Sequence, residues 1–296
     1  MLFVVTKMFL RKKRINGREY YYLVQSTRVG GKVKKRERYV GLQKPSKSEM
    51  KRVFWEFDSV KSFLQKKQKV LESITSKHAK DMKRMPQDYR DDFFKQFVTK
   101  FTYDTSKIEG STLSYKDTAL LLNEGIAPAH KPSRDIREAE NHKKAYELVL
   151  GMLKKKIDLR MILDLHRQLK QGVSEDAGNL RAGQVRVGNL IPINHSMIKQ
   201  ELTLLISWLI KNQNIHPMEK AGLFHCSFER IHPFFDGNGR IGRLLLNMIL
   251  MQTGYPPLNI QHKNRRRYYT ALQRADNGNY LYMIKYLVYE LEEMYL

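Results

Sequence analysis

His232-Pro233-Phe234-Phe235-Asp236-Gly237-Asn238-Gly239-Arg240-Ile241-Gly242-Arg243 gathers a histidine, a carboxylate, three glycines and two arginines within one short stretch. Apolar residues upstream recur at helical spacing over 217–231 and stop at His232-Pro233, because proline cannot continue the helix. A second helix is predicted over 239–253. The loop between them opens a helix with glycine, so it aims backbone N–H groups and the positive end of a helix dipole at one point. Gly237 and Gly239 let that backbone approach an anion without a Cβ in the way. Arg240 and Arg243 stand three apart on the first turn and can both face it. Asp236 is a hard carboxylate beside a phosphate cradle, which is how Mg²⁺ is commonly held. His232 has a side chain whose ordinary pKa lies near neutrality, suited to taking a proton from a hydroxyl. Base, metal ligand and anion cradle in one loop describe a phosphoryl- or nucleotidyl-transfer site.

Working outward, helical patterns are expected over 47–80, 88–105, 115–124, 134–154, 158–171, 197–212, 265–276 and 279–294 as well. Between 178 and 193 the pattern breaks. Gly178, Gly183, Gly188 and Pro192 punctuate the alternating Val185-Arg186-Val187, which predicts a β-hairpin flap set into a helical domain. Residues 1–42 read as a small, strongly basic β-meander. Its strand-prone runs Phe3 to Ile15, Tyr20 to Val29 and Lys32 to Val40 are joined by Asn16-Gly17 and Gly30-Gly31, the dipeptides of tight hairpins. A sheet this small must pack on something larger. Residues 43–94 read as a linker followed by a helical segment, with Pro45-Ser46 marking the helix start.

The chain of 296 residues has 42% hydrophobic and 28% charged residues, the composition of a soluble globular protein. No apolar run approaches the ~18 residues of a membrane span. Met1-Leu2-Phe3-Val4-Val5 is too short for the apolar core of a signal peptide, so a cytoplasmic protein without a membrane partner is expected. The single cysteine, Cys226, excludes an intrachain disulfide and a multi-thiolate zinc site, and reads as a small buried hydrophobe. The formal charge of +24 favours acidic partners. Arg11 to Arg14 and Lys32 to Arg38 flank Tyr20, Tyr21 and Tyr22, a pattern that suits nucleic acid or a merely solvated charged face with the tyrosines turned inward.

The stretch from His232 to Arg243 resembles the signature of the Fic (filamentation induced by cAMP) family, His-x-Phe-x-Asp/Glu-Gly-Asn-Gly-Arg-x-x-Arg, at every fixed position. Pro217–Phe228, Arg243–Pro257 and Arg267–Asp276 resemble the segments that flank it, and Ala177–Pro192 the family flap. The resemblance implies a mainly α fold, a Fic-type helical bundle over 95–296, and a protein adenylyltransferase that transfers AMP from ATP to a hydroxyl of a target protein. It implies that His232 is the base, Asp236 the Mg²⁺ ligand, and Gly237, Asn238 and Gly239 the anion hole. Arg240 and Arg243 would hold the β- and γ-phosphates, Phe234 would anchor the loop, and Tyr268, Tyr269 and Asp276 would lie at the adenosine. Asp276 stands where some relatives carry asparagine, which departs from the pattern. The flap residues Val185, Arg186, Val187 and Gly188 would pair with the target segment.

Thr105-Ser106-Lys107-Ile108-Glu109-Gly110 resembles the family's inhibitory motif, Ser/Thr-x-x-x-Glu-Gly/Asn, here ahead of the core. Thr105 and Glu109 share one helix face, and the resemblance implies that Glu109 pairs with Arg243 and denies it to the γ-phosphate, or positions water for removing AMP. Expected partners are ATP, a protein bearing a Ser, Thr or Tyr hydroxyl, nucleic acid at the basic N-terminal segment, and a second copy of the chain in a homodimer. Two alternatives accompany this reading. One is a Fic enzyme that transfers a different phosphate-containing group; the other is a nucleic-acid-binding regulator with a vestigial Fic core, motivated by the basic N-terminal sheet and the run from Lys263 to Arg267.

Overall fold

The computed structural model describes residues 5–15, 17–29, 32–188 and 190–296. Asn16, Gly30 and Gly31, read above as turn residues, and Phe3 and Val4 of the first strand-prone run lie outside the described residues.

The chain begins with an antiparallel meander, β1 (Val5–Ile15), β2 (Arg18–Val29) and β3 (Lys32–Gly41). Leu10 pairs with Leu23 and Val24 with Glu37, and the β2–β3 register shifts at Tyr21/Tyr22. Ten α-helices follow among the described residues: α1 (Lys47–Arg84), α2 (Gln87–Ile108), α3 (Tyr115–Glu124), α4 (Ser133–Gly151), α5 (Leu159–Lys170), α6 (Ile198–Lys211), α7 (Pro217–Ile231), α8 (Asn238–Gln252), α9 (Arg265–Asp276) and α10 (Leu281–Tyr295). The expected helices are all present, with α1 running four residues further than its apolar pattern indicated.

Local sequence accounts for the helix ends. Ser46 caps α1 and Ser114 caps α3, each in a capping box with the acid three residues on, Glu49 and Asp117. Asp158 caps α5 through Met161 N–H, and α7 starts with Pro217 in its first turn, where a missing N–H costs nothing. Helix α8 lies at the centre. Every residue from Arg240 to Leu250 is buried, the pattern of a helix surrounded on all sides. Helices α7 and α2 pack against it, so the ends of three helices are held in a rigid frame.

The sheet docks on this bundle. Leu23 packs with Val53 and Phe57 of α1, Trp208 Nε1 of α6 donates to Glu37 O at 2.7 Å, and Gln200 Nε2 donates to the Tyr20 hydroxyl at 2.6 Å. Tyr20 and Tyr22 are buried and lie against Tyr39, so these two aromatics of the basic segment are turned inward. Arg11 and Lys13 pair with Glu37, and Lys12 with Glu19. The expected flap is reduced to a minimal ladder. Val187 and Leu190 exchange two backbone hydrogen bonds (3.0 and 2.9 Å) in an isolated bridge, and the rest of 178–193 runs without regular structure among the described residues. No helix among the described residues is long and apolar enough to cross a membrane.

Candidate active site

The turn from α7 to α8 is built by a few side chains that spend their polar groups on the backbone. His232 closes α7 in the left-handed region (φ +50°), with its N–H on Phe228 O at 2.9 Å. A non-glycine residue seldom adopts this conformation, and the surroundings that hold it here are visible. Phe234 is fully buried and stacks on the His166 ring, with centroids 3.7 Å apart. Asn238 braces the loop from below: its Oδ1 accepts Phe234 N–H (2.9 Å) and its Nδ2 donates to Phe234 O (2.8 Å). Its side chain is therefore committed, and only its backbone N–H is left to serve an anion. Gly237 has φ +85°, and a Cβ there would also press on Leu169.

Arg181, which the sequence did not single out, is a buried clamp. Its Nε donates to His232 O (2.7 Å), Nη1 to Gly183 O (2.6 Å) and Nη2 to Ile193 O (2.6 Å), while its own N–H donates to Pro233 O (2.9 Å). One guanidinium thus ties both ends of the flap segment to the α7–α8 loop. His166 adds a second tie. Gly178 N–H donates to its Nδ1 (3.0 Å), which leaves Nε2–H to donate to Asp236 O (3.1 Å). Burial pushes the His166 pKa down to about 4, so this neutral form persists.

The His232 ring is largely enclosed. Its Nδ1 lies 3.3 Å from Glu229 O, and a proton on Nδ1 leaves Nε2 as a lone-pair acceptor. Burial lowers its pKa, so the imidazole is unprotonated and ready to accept at neutral pH.

Asp236 projects from the loop with its carboxylate partly exposed. Oδ1 accepts Gly237 N–H (2.7 Å); Oδ2 lies 2.6 Å from Lys170 Nζ and 2.9 Å from Arg134 Nη2. Arg240 reaches the same carboxylate at 3.3 Å and Glu138 at 2.7 Å, and Lys170 also binds Glu138 at 2.8 Å. Burial pushes the Asp236 carboxyl up, but Arg240, Lys170 and the Gly237 N–H outweigh it and hold it well below the usual carboxylate range. Arg240 is thus paired with carboxylates of the chain itself. A lone guanidinium that is almost wholly buried would be costly. Glu138 and Lys170 were missed by sequence reasoning because their partners in the loop region, Arg240 and Asp236, are 102 and 66 positions away.

Among the described residues no group of three or more His, Cys, Asp or Glu side chains converges as a metal cage. Asp236 does fit a weakly held Mg²⁺. It offers a hard, partly exposed carboxylate oxygen at the rim of an anion site, and such an ion keeps its remaining positions for phosphate oxygens and water.

Arg243 is buried one turn into α8. Its Nη2 binds Glu109 Oε1 at 2.5 Å, Nε donates to Thr105 Oγ1 at 2.6 Å, and Nη1 lies 3.4 Å from the Tyr268 hydroxyl. Thr105 and Glu109, four apart on α2, therefore grip the same guanidinium. Burial would lower the Arg243 pKa; Glu109 and Tyr268 reverse that and raise it. The Glu109 carboxylate also fills the space in front of Gly239, where a Cβ would collide with it. An acidic side chain of the chain itself thus lies at the mouth of α8, where the dipole favours an anion.

The remaining expected residues divide by depth. Tyr268 is buried, with its hydroxyl on His225 Nε2 (2.8 Å), behind Arg243. Its neighbour Tyr269 is 42% exposed and donates to Ile108 O (3.2 Å), beside the C-terminal end of α2. Asp276, at the end of α9, is half-buried, and burial raises its pKa. Val185 is partly buried, and Arg186, Val187 and Gly188 are exposed. Glu229, one turn before His232, was also missed. Its Oε1 is buried without a hydrogen bond, and a Cβ on Gly242 would collide with it. Burial pushes its pKa up to about 8, against the pull of Arg243.

Residues 156–250 match the family model described as Fic/DOC family. The chain is 32% identical over 194 residues to the protein adenylyltransferase fic-1 of Caenorhabditis elegans, covering 63% of this chain and 38% of that protein. It is 33% identical over 199 residues to the protein adenylyltransferase Fic of Aedes aegypti, covering 65% and 40%. The chain thus spans well under half the length of these curated relatives. Among solved structures, a fragment of Fic-1 from C. elegans superposes with a TM-score of 0.70 at 26% identity, covering 80% of this chain and 71% of the fragment. A Fic-domain-containing signaling protein from Bacteroides thetaiotaomicron superposes with a TM-score of 0.68 at 25% identity, covering 76% and 94%.

Proposed function

We propose that this chain, which contains a Fic domain, is a Mg²⁺-dependent protein adenylyltransferase that moves AMP from ATP to a Ser, Thr or Tyr hydroxyl and is restrained by its own Glu109. The observation that carries the reading is the mouth of α8. There a neutral imidazole, a carboxylate and two buried arginines surround the backbone that opens α8, and the anion in the cradle is Glu109. The curated relatives over this same stretch bear the name protein adenylyltransferase, which supports the assignment.

In the proposed cycle the triphosphate replaces Glu109. Arg243 turns from that carboxylate to the γ-phosphate, and Arg240 turns toward the β-phosphate. Backbone N–H groups of Gly237, Asn238 and Gly239 receive the bridging region. Asp236 would hold Mg²⁺, whose charge offsets that of the leaving pyrophosphate. His232 Nε2 takes the proton of the incoming hydroxyl as its oxygen attacks the α-phosphorus. The bond from the α-phosphorus to the α–β bridging oxygen breaks, and pyrophosphate leaves. The exposed flap backbone at Arg186 and Val187 suits main-chain pairing with an extended target segment. With AMP already on a target, the Glu109 carboxylate is also positioned by chemistry to orient a water for its removal.

The test uses α-labelled ATP with Mg²⁺ and a native lysate, comparing the wild-type chain, Glu109→Gly and His232→Ala. Label should pass to protein with the first two, more strongly with Glu109→Gly. It should fall by ~10²–10⁴-fold in His232→Ala with ATP binding retained. Label transfer that is indifferent to His232 would overturn the proposal. Transfer from a nucleotide other than ATP would instead select the reading in which the domain moves a different group.

A further inference from the structure

Behind the catalytic loop, on the other side of α7, lies a cavity of about 450 Å³. Leu223, Ser227, Arg230 and Ile231 of α7 line it, whereas His225, Glu229 and His232 face Arg243 and the cradle. At 100° per residue these two sets occupy opposite sides of the helix, so the cavity is distinct from the proposed ATP site. Its remaining walls come from β2, β3, the segment after β3, Glu49 at the start of α1, Ile193, α6 and Tyr280. The N-terminal sheet therefore creates the cavity by docking on the bundle.

The lining is built for a specific kind of occupant. Tyr20, Tyr22, Tyr39, Trp208 and Tyr280 supply aromatic surface. Between Tyr280 and Phe57 sits the Arg38 guanidinium, 5.1 and 4.7 Å from the two ring centroids and only 4% exposed. None of its three nitrogens makes a hydrogen bond among the described residues, although Glu56 Oε2 stands 3.2 Å away. Glu56 balances the guanidinium's charge, yet its donors lack well-aligned acceptors, which an oxyanion in the cavity would supply. Arg230 and Lys44, also lining the cavity, add positive charge. On the α6 side, Glu201 is buried with Oε1 unbonded, an acceptor for a ring N–H or O–H. The volume lies within the usual ~300–1,000 Å³ of small-molecule sites.

We infer that this cavity is a second ligand site, which binds a flat ring carrying a hydrogen-bond donor and an oxyanion. The ring stacks among the tyrosines and Trp208, its donor meets Glu201, and its phosphate or carboxylate meets Arg38 and Arg230. A nucleoside monophosphate and an aromatic hydroxy acid share this chemistry, and the probes separate them.

The chain has two tryptophans, and Trp55 is exposed on α1, so a Trp55→Phe background leaves Trp208 as the sole indole reporter at the cavity. AMP, UMP and 4-hydroxybenzoate are titrated into this full-length variant while Trp208 emission is followed. At least one should give a saturable change with a Kd below about 1 mM. The nucleotides or the hydroxy acid will bind tighter and so name the source. Adding Ser227→Phe, which fills the cavity from α7, should weaken that binding more than tenfold, and Arg38→Gln should do the same. Circular dichroism on each variant checks the fold, and Ser227→Phe keeps the test alive if loss of Arg38 undocks the sheet. Emission unchanged by all three probes overturns the inference, as does a change that survives Ser227→Phe. AMP bound only in the cradle would fall in that second class. The readout does not depend on AMP transfer, so this inference and the proposed activity fail separately.

Discussion

Replacing Glu109 by glycine removes the anion at the mouth of α8 and little else. Glu109 terminates α2 at φ −84°, ψ 2°, a conformation glycine adopts freely, and Gly110 behind it already turns the chain at φ +96°. Arg243 keeps Thr105 Oγ1 at 2.6 Å and the Tyr268 hydroxyl at 3.4 Å, so the guanidinium stays in position without its carboxylate. What disappears is one charge-assisted contact at 2.5 Å between a buried guanidinium and a carboxylate whose side chain is 32% exposed. A hydrogen bond of this kind contributes about 1.5–3 kcal/mol, and the partial exposure of Glu109 argues for the lower half of that range. If ATP must displace this contact to bind productively, its removal should raise AMP transfer on the order of 10–40-fold, at about 1.4 kcal/mol per decade.

The assay is the initial rate of label transfer from α-labelled ATP at nucleotide well below saturation, with ATP affinity measured separately. Glu109→Gln, which keeps the size but not the charge, should fall between wild type and glycine. The reasoning is refuted if Glu109→Gly binds ATP as the wild type does and transfers label no faster. The contact would then be structural, and the cradle would be inhibited by something else or not at all.

Three further outcomes follow from the same geometry. Gly239→Ala should destabilise the protein by about 1–3 kcal/mol, because its Cβ collides with the Glu109 carboxylate and lies 3.0 Å from Arg243 Nη1; adding Glu109→Gly should recover the melting temperature but not the ATP affinity. His142 and His225 are fully buried, and burial holds both near a pKa of about 3. Between pH 6.5 and 3 the unfolded chain takes up protons that the folded one refuses. Stability should therefore fall as pH drops below 6.5, by roughly 1.4 kcal/mol for each histidine at pH 5.5, as thermal melts across that range will measure. Glu229 behaves oppositely. Its folded pKa is raised to about 8, so its unfavourable contribution grows as pH rises from the ordinary carboxylate range to about 8. Glu229→Gln should raise the melting temperature at pH 8 and leave it nearly unchanged at pH 4.

The parts of the site that were legible in the sequence are those whose partners are close in sequence. The Asp-Gly-Asn-Gly loop, the two arginines and the helix break at Pro233 lie within one dozen positions. The pattern Thr105…Glu109 is a single helix turn. What was illegible is held by long-range charge. Lys170 is buried because Glu138 and Asp236 meet it, yet along the chain it is one more lysine at the end of an amphipathic helix. Arg181 reads as a loop arginine, and its four carbonyl partners come from the flap and from the end of α7. Two signals were present and unused. In α9 the buried residues Tyr268, Ala271 and Ala275 follow helical spacing, which marks Tyr268 as inward and Tyr269 as outward. In α7, Glu229 shares a face with His225 and His232, which places a carboxylate beside the base.

The fold solves a physical problem that the loop's own sequence creates. A cradle for phosphates needs buried guanidinium groups, and buried guanidinium groups need counter-charges before the phosphates arrive. Arg240 and Arg243 meet that need differently. Arg240 is neutralised by Glu138 on α4 and by Asp236 in the loop itself. Arg243 is neutralised from outside the α7–α8 turn, by the last residues of α2. A movement of one helix end, or loss of one side chain there, changes the charge that a γ-phosphate meets and leaves Arg240, Asp236 and His232 where they were. The proposed control over the cradle therefore rests on Glu109, and removing that one carboxylate tests it more cleanly than any substitution within the loop itself.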